Sequence, residues 1–204
     1  MSQIIAYAEN HACFKERTHT GGRDLETNQA LDRFLLGVER RALRMATIST
    51  GNPDDALDIV QDAMMKLACR YGNRQENEWG GLFHRILQNT ITDWHRRSRV
   101  RSKWQQLFHQ REHDDPHPDP IQSLPDPVAE EPVRSLTGSE AMKALEQAIH
   151  ILPLRQQQAF LLRLWEGLSV AGTAQAMGCS EGSVKTLYSR AVTKLREKLK
   201  GYWP

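Results

Sequence analysis

Apolar residues recur along most of this chain at intervals of three and four, the spacing that lines one face of a helix. The first stripe is Leu31, Phe34, Leu35, Val38, Ala42 and Met45. The second, Ala56, Ile59, Val60, Ala63, Met64 and Leu67, follows Asn52-Pro53-Asp54-Asp55. That tetrapeptide is a helix start: a capping amide, a proline in the first turn, then negative charge at the positive end of the helix dipole. Gly72 predicts the stop. A third stripe holds Trp79, Leu82, Phe83, Ile86, Leu87, Thr90, Ile91 and Trp94. Three amphipathic helices with short connections predict a compact bundle. Residues 1–26 show no such pattern and read as a loose arm.

A second group of helices follows residue 138. Ser139 is predicted as an N-cap, Met142, Leu145, Ile149 and Leu152 form the stripe, and Pro153 ends it. Ala159, Leu161, Leu162 and Trp165 belong to the next helix, which closes at Gly167. Ser169 and Ser180 predict two further N-caps, with Gly178 between them. No run of alternating apolar and polar residues reaches strand length, so the predicted fold is all-α.

Charge divides the chain further. The formal net charge of the 204 residues is only +2. Between His109 and Ser139, however, seven acidic residues face two basic ones, Arg111 and Arg134, and six of the nine prolines fall in the same stretch. Such a segment buries too little apolar surface to offset its ordering entropy, and proline bars helix interiors. The organisation predicted is therefore two small helical domains, 27–105 and 139–204, joined by a flexible acidic linker over 106–138. Residues 1–108 carry +3 and residues 140–204 carry +4. Mean hydropathy is −0.60, and no apolar run is long enough for a membrane span. Glu9, Glu16, Asp24 and Glu26 interrupt the region a signal peptide would need. Cys13, Cys69 and Cys179 are odd in number and widely spaced, which fits neither a disulfide framework nor a metal knuckle. A cytoplasmic setting is expected, with Cys69 and Cys179 as small packing groups.

Ser169 to Tyr188 has the spacing of a helix-turn-helix. Ala174 is small enough for two helices to approach, Gly178 permits the turn, and Val184 can lock the second helix on the first. Met177, Cys179 and Leu187 would complete the small core. The second helix of such a unit enters the major groove while the first crosses the backbone. It continues here with Lys185, Arg190, Lys194, Arg196, Lys198 and Lys200 against one acid, Glu197. A solvated basic face would explain the cations alone, but not the Ala-Gly-Val spacing and the caps. A second cluster, Arg96, Arg97, Arg99, Arg101 and Lys103, ends the third helix. Trp79 and Trp94 beside it read as core, and the arginines as the phosphate-facing part.

These residues resemble a known family. Asp58-Ile-Val-Gln-Asp62, Leu82-Phe-His-Arg-Ile86 and Asn89-Thr90 are similar to the second conserved region of the extracytoplasmic-function sigma factors. Ile151-Leu-Pro153, Arg155, Phe160-Leu-Leu-Arg163, Glu166-Gly-Leu-Ser169 and Cys179-Ser-Glu-Gly-Ser-Val-Lys185 resemble their fourth region. The resemblance covers roughly residues 30–105 and 140–200. It implies a dissociable, non-enzymatic subunit, with no cofactor, that binds core RNA polymerase and directs it to promoters. By that resemblance Asp58, Gln61 and Asp62 would dock the clamp helices of the polymerase's largest subunit, and the fourth region would meet the flap of the second-largest. Asn89, with Lys66 as a weaker candidate, would capture flipped bases of the minus-ten element. Ser183, Lys185, Thr186, Ser189 and Arg190 would read the minus-thirty-five element, with Lys194, Arg96, Arg97 and Arg99 on phosphates. An inhibitory anti-sigma factor is a partner common in the family.

The chain departs from the family pattern in places. The loop Tyr71–Glu78 is short and lacks the aromatic many relatives place there, and Leu187 stands where arginine is common. Gly172-Thr173 replaces Glu-Ile, and the glycine should loosen its helix by roughly 1 kcal/mol. Two other readings compete. A helix-turn-helix regulator acting without polymerase would normally be a symmetric dimer, and it leaves the first module unexplained. A metal-dependent nuclease could use Asp54, Asp55, Asp58 and Asp62, but these lie along one helix and paired metals need convergent acids. His109, His113 and His117 have the spacing of a helical metal site, which Pro116 and Pro118 break.

Overall fold

The computed structural model describes residues 23–112 and 136–200, with side chains described over 26–101 and 140–200. Among the described residues there are seven α-helices and no strand: α1 (Arg23–Thr50), α2 (Pro53–Tyr71), α3 (Glu76–Glu112), α4 (Leu136–His150), α5 (Leu154–Phe160), α6 (Val170–Met177) and α7 (Glu181–Lys198). A π-helical turn, Leu161–Trp165, prolongs α5. The all-α expectation holds.

The caps read from sequence form as expected. Asn52 Oδ1 accepts the N–H groups of Asp54 (2.8 Å) and Asp55 (3.4 Å). Ser169 Oγ accepts from Gly172 N (3.0 Å), and Ser180 Oγ from Ser183 N (3.2 Å). Each satisfies donors that a helix start leaves unpaired. Gly178 closes α6 at φ +60°, the left-handed conformation a helix stop favours.

Helix bounds differ from the sequence expectation at three places. α1 begins at Arg23, so the last residues of the expected arm are helical; Cys13 and the rest of the arm lie outside the described residues. α3 runs on to Glu112, past residue 105, while His113 and His117 lie outside. Ser139 is not an N-cap, because α4 already starts at Leu136 and holds Ser139 in its first turns.

α1, α2 and α3 pack around Met45, Met64, Leu67, Phe83, Leu87 and Ile91, all within 1% of complete burial. Phe34 sets its ring edge-on to Phe83, with centroids 6.2 Å apart, and tilted to Trp79 at 5.9 Å. Trp79 is core, and its indole N–H donates to the Tyr71 carbonyl (3.1 Å). Trp94 is half-buried against the same core. In the second group Ala174, Met177, Val184, Ala191 and Leu195 are buried, and Phe160 stacks on Tyr188. Cys179 and Leu187 pack at its edge; Cys69 and Cys179 are half-buried rather than buried.

The two groups do not stand apart. α6 lies along α3 and α4 along α1, so one continuous core runs through both. Side chains at the contact are unusually polar. Gln158 donates from Nε2 to Thr92 Oγ1 (3.0 Å) and to the Gln88 carbonyl (3.4 Å). His150 Nδ1 meets the Ile48 carbonyl at 2.8 Å, and Arg44 pairs with Glu146.

Two glycines separate backbone strain from packing. A Cβ at Gly178 meets nothing within 4 Å, so Gly178→Ala should cost only the left-handed penalty, about 1–2 kcal/mol. Gly37 sits exposed in α1 with equally open space, so Gly37→Ala should stabilise by roughly 0.5–1 kcal/mol. Urea unfolding of both variants measures the opposite signs.

Candidate nucleic-acid interface

The outer faces of α2 and α3 enclose a cavity of about 360 Å³ lined by Lys66, Arg70, Tyr71, Leu82, Arg85, Ile86, Asn89, Thr90 and Asp93. Lys66 and Asn89, 23 positions apart in sequence, thus share one concave site. Asn89 is exposed, and Lys66 Nζ donates to Asp62 Oδ2 at 2.6 Å. Asp58 and Asp62 are exposed and Gln61 is half-buried, on the side of α2 opposite buried Ile59, Val60 and Ala63. The acidic face and the cationic cavity therefore meet at the Asp62–Lys66 pair.

Sequence reasoning missed three lining residues. Arg70 lies one turn after Lys66 and Arg85 one turn before Asn89, so the four-residue interval was the signal that could have found them. Tyr71 was the third. The loop carries no aromatic after it, but Tyr71 itself, the last residue of α2, lines the cavity. Its carbonyl is fixed twice, by the Trp79 indole and by Arg74 N (2.9 Å).

Farther along α3, Arg96, Arg97, Arg99 and Arg101 are exposed, and Arg96 reaches Asp93 at 3.2 Å. On α7, Ser183, Lys185, Thr186, Ser189, Arg190 and Lys194 are all exposed, while Val184, Ala191 and Leu195 anchor the opposite face. Ser183 and Thr186 are partly committed to the helix: Ser183 Oγ lies 2.9 Å from Ser180 Oγ, and Thr186 Oγ1 donates to the Gly182 carbonyl. The helix-turn-helix is braced by Arg155, which donates to the Met177 carbonyl (3.1 Å), and by Arg163, which donates to the Leu168 carbonyl. At Gly172 a Cβ would stand 3.3 Å from Ser169 Oγ, so the glycine keeps this cap close while it weakens helix propensity. Among the described residues no three His, Cys, Asp or Glu side chains gather as a metal site, and no helix is long and apolar enough to cross a membrane.

The family described as sigma-70, region 4, matches residues 142–195. The RNA polymerase sigma-E factor of Streptomyces coelicolor is 29% identical over 159 residues, covering 77% of this chain and 78% of the relative. The ECF RNA polymerase sigma factor SigM of Mycobacterium tuberculosis is 29% identical over 175 residues, covering 85% and 78%. Over most of its length this chain is similar to RNA polymerase sigma factors, extracytoplasmic-function ones among them. Its fold is shared with the sigma factor RpoE of Bartonella quintana, solved in complex with the anti-sigma factor NepR, at TM-score 0.57 and 24% identity over 83% of this chain and 96% of that one.

Electrostatics in this protein are most perturbed where its two helical groups meet. Glu166 Oε2 lies 3.5 Å from both Arg41 Nε and His84 Nε2, with 3% of its side chain exposed. Burial raises the Glu166 pKa, and Arg41 opposes the shift. Burial also lowers His84 to about 4, with Arg41 adding to the effect. Unfolded His84 therefore binds a proton that folded His84 refuses between about pH 6.5 and 4. Stability should fall on acidification through that window, by up to roughly 1.4 kcal/mol per pH unit from this group. The raised Glu166 acts in the opposite sense, favouring the folded state as pH falls. Urea titrations at pH 7, 5.5 and 4.5 should show a shallower loss for His84→Gln than for the unaltered protein.

Proposed function

We propose that this protein is a sigma factor, which binds core RNA polymerase and directs initiation from promoters recognised at two separated elements. Residues 27–105 act as region 2 and 139–204 as region 4, with 106–138 as the tether. The observation that carries the reading is the cavity joining Lys66 and Asn89, on a chain that also carries a helix-turn-helix with an exposed cationic face on α7.

In region 2 the cavity takes flipped nontemplate bases of the minus-ten element. Unstacking a base costs a few kcal/mol, which edge hydrogen bonds and stacking must return. The Asn89 amide supplies donor and acceptor, Tyr71 a ring, and Lys66, Arg70 and Arg85 the charge that holds neighbouring phosphates. Arg96, Arg97 and Arg99 extend that track along α3. Asp58, Gln61 and Asp62 meet the clamp helices of the polymerase's largest subunit, where carboxylates make charge-assisted bonds to a basic partner. In region 4, Lys185, Ser189 and Arg190 reach base edges of the minus-thirty-five element, Ser183 and Thr186 line the entry, and Lys194 sits on phosphate. The fourth region also meets the flap of the second-largest subunit. An anti-sigma factor is a fitting inhibitory partner, as with the Bartonella relative. The protein works in the cytoplasm by binding, without catalysis of its own.

Run-off transcription with core polymerase on a promoter library tests the whole reading; no promoter-directed product would reject it in favour of a regulator that acts without polymerase. Asn89→Ala should slow promoter opening more than closed-complex formation, measured by permanganate footprinting against band shift. Lys185→Ala and Arg190→Ala should each weaken discrimination of upstream sequences by about 1–3 kcal/mol, read from competition binding of the holoenzyme.

A further inference from the structure

The exposed face of α7 is led by an acid. Glu181 opens the helix directly after the Ser180 cap, and it is exposed. From Ser180 to Arg196 it is the only carboxylate, in a stretch that also holds Lys185, Arg190, Lys194 and Arg196. A face that lies on phosphate gains from each cation and loses from each anion. Glu181 is therefore a cost to binding wherever it does not meet a donor on the DNA.

Among the described residues, no side chain takes that carboxylate. The cap of α7 is made by Ser180, whose Oγ accepts the Ser183 N–H and lies 2.9 Å from Ser183 Oγ. With serine at the third helical position, no capping box is available to hold a glutamate there. Lys185 follows four residues after Glu181, acid before base, which is the order that favours an ion pair on a helix. The same order closes in α2, where Lys66 Nζ lies 2.6 Å from Asp62 Oδ2. Glu181 and Lys185 are not bridged, and both face solvent. An acid in the first turn also complements the helix dipole, as Asp54 and Asp55 do in α2, but that role chooses no base.

A recognition helix enters the major groove with its N-terminal residues at the base edges. Glu181 is the first of these, and Lys185 stands one turn behind, about 5–6 Å away between Cβ atoms. In that groove guanine presents two acceptors and thymine one, and both repel a group that only accepts. Adenine sets an acceptor beside its donor. Cytosine alone presents a donor, its N4 amino group, with no acceptor of its own. Its partner guanine turns O6 and N7 into the same groove, where an ammonium can donate to them. A carboxylate and an ammonium one turn apart thus match the two halves of a C·G pair.

We infer that Glu181 is a specificity-determining residue, accepting from the N4 amino group of a cytosine in the upstream promoter element while Lys185 donates to the paired guanine. The inference rests on the sigma-factor reading above and deepens it. Lys185 and Arg190 select by attraction, whereas Glu181 also rejects, because it repels the acceptor edges of the wrong bases.

Run-off transcription by core polymerase with the full chain, on templates randomised over the upstream element, tests this. The unaltered chain should favour cytosine at one upstream position by about tenfold over the next base. Glu181→Ala should flatten that position to within about twofold, and its binding to unselected DNA, read by band shift, should strengthen because a repulsive charge is gone. Glu181→Gln should move the preference to adenine, whose N6 and N7 an amide meets together. A carboxylate that serves only the helix dipole would instead lower the urea midpoint of both variants and leave every base preference unmoved. That result would overturn the inference while the sigma-factor reading stands, as would an unaltered chain that initiates with no upstream cytosine preference. If the unaltered chain yields no promoter-directed product, the sigma-factor reading falls and the inference falls with it.

Discussion

One helix packs against both groups of helices, and that double duty constrains everything else. α3 presents Phe83, Leu87 and Ile91 to α1 and α2, where they are fully buried, and it turns His84, Thr92 and the Gln88 carbonyl toward the second group of helices. The apolar side is worth several kcal/mol per large residue and is not negotiable for folding. The polar side contributes far less, because each buried amide and charge gives up water for one protein partner. The same rod therefore meets one group of helices through large apolar side chains and the other through polar groups as well.

The candidate DNA surfaces follow from that asymmetry. Asn89 and Arg85 stand on the part of α3 that faces neither core, and α2 contributes Lys66, Arg70 and Tyr71 from its own outer face. Because Trp79 is locked among Phe34 and its neighbours, its bond to the Tyr71 carbonyl fixes the end of α2 relative to the start of α3. A rigid apolar core thus sets the shape of a polar hollow. On the other side, Val184, Ala191 and Leu195 fix the roll of α7, so the exposure of Lys185, Ser189 and Arg190 is decided by residues that never meet solvent.

Periodicity made the helices legible because it reports apolar burial: the second stripe is buried throughout and the first except at Phe34, whereas in the third Trp79, Phe83, Leu87 and Ile91 are buried and Leu82, Ile86, Thr90 and Trp94 are half-buried. Caps were legible because Asn52, Ser169 and Ser180 each bring their own acceptor to the donors they satisfy. Ser139 misled because the same residue type is also tolerated inside a helix, and nothing local distinguishes the two positions. What could not be seen was polar burial. Gln156, Gln157 and Gln158 are adjacent polar residues that a stripe analysis assigns to solvent, yet all are buried. Gln157 donates to the nearby carbonyls of Ile149 and His150, but the partners of Gln158 and of Glu166 lie in a distant part of the chain, where no spacing rule reaches them. The cavity was half visible: Asn89 and Lys66 came from family resemblance, whereas Tyr71 depended on the tertiary position of Trp79.

The π-turn at Leu161–Trp165 has a geometric consequence of its own. A π-turn is one residue looser than the surrounding α-helix, which shifts the phase of everything after it by about 100°. Here that offset leaves Leu164 and Trp165 facing outward and swings Glu166 inward. The looseness acts as a phase adjuster between a helix that belongs to one half of the molecule and a carboxylate addressed to the other. Shortening the segment by a single residue would turn the Glu166 carboxylate away from Arg41 and His84.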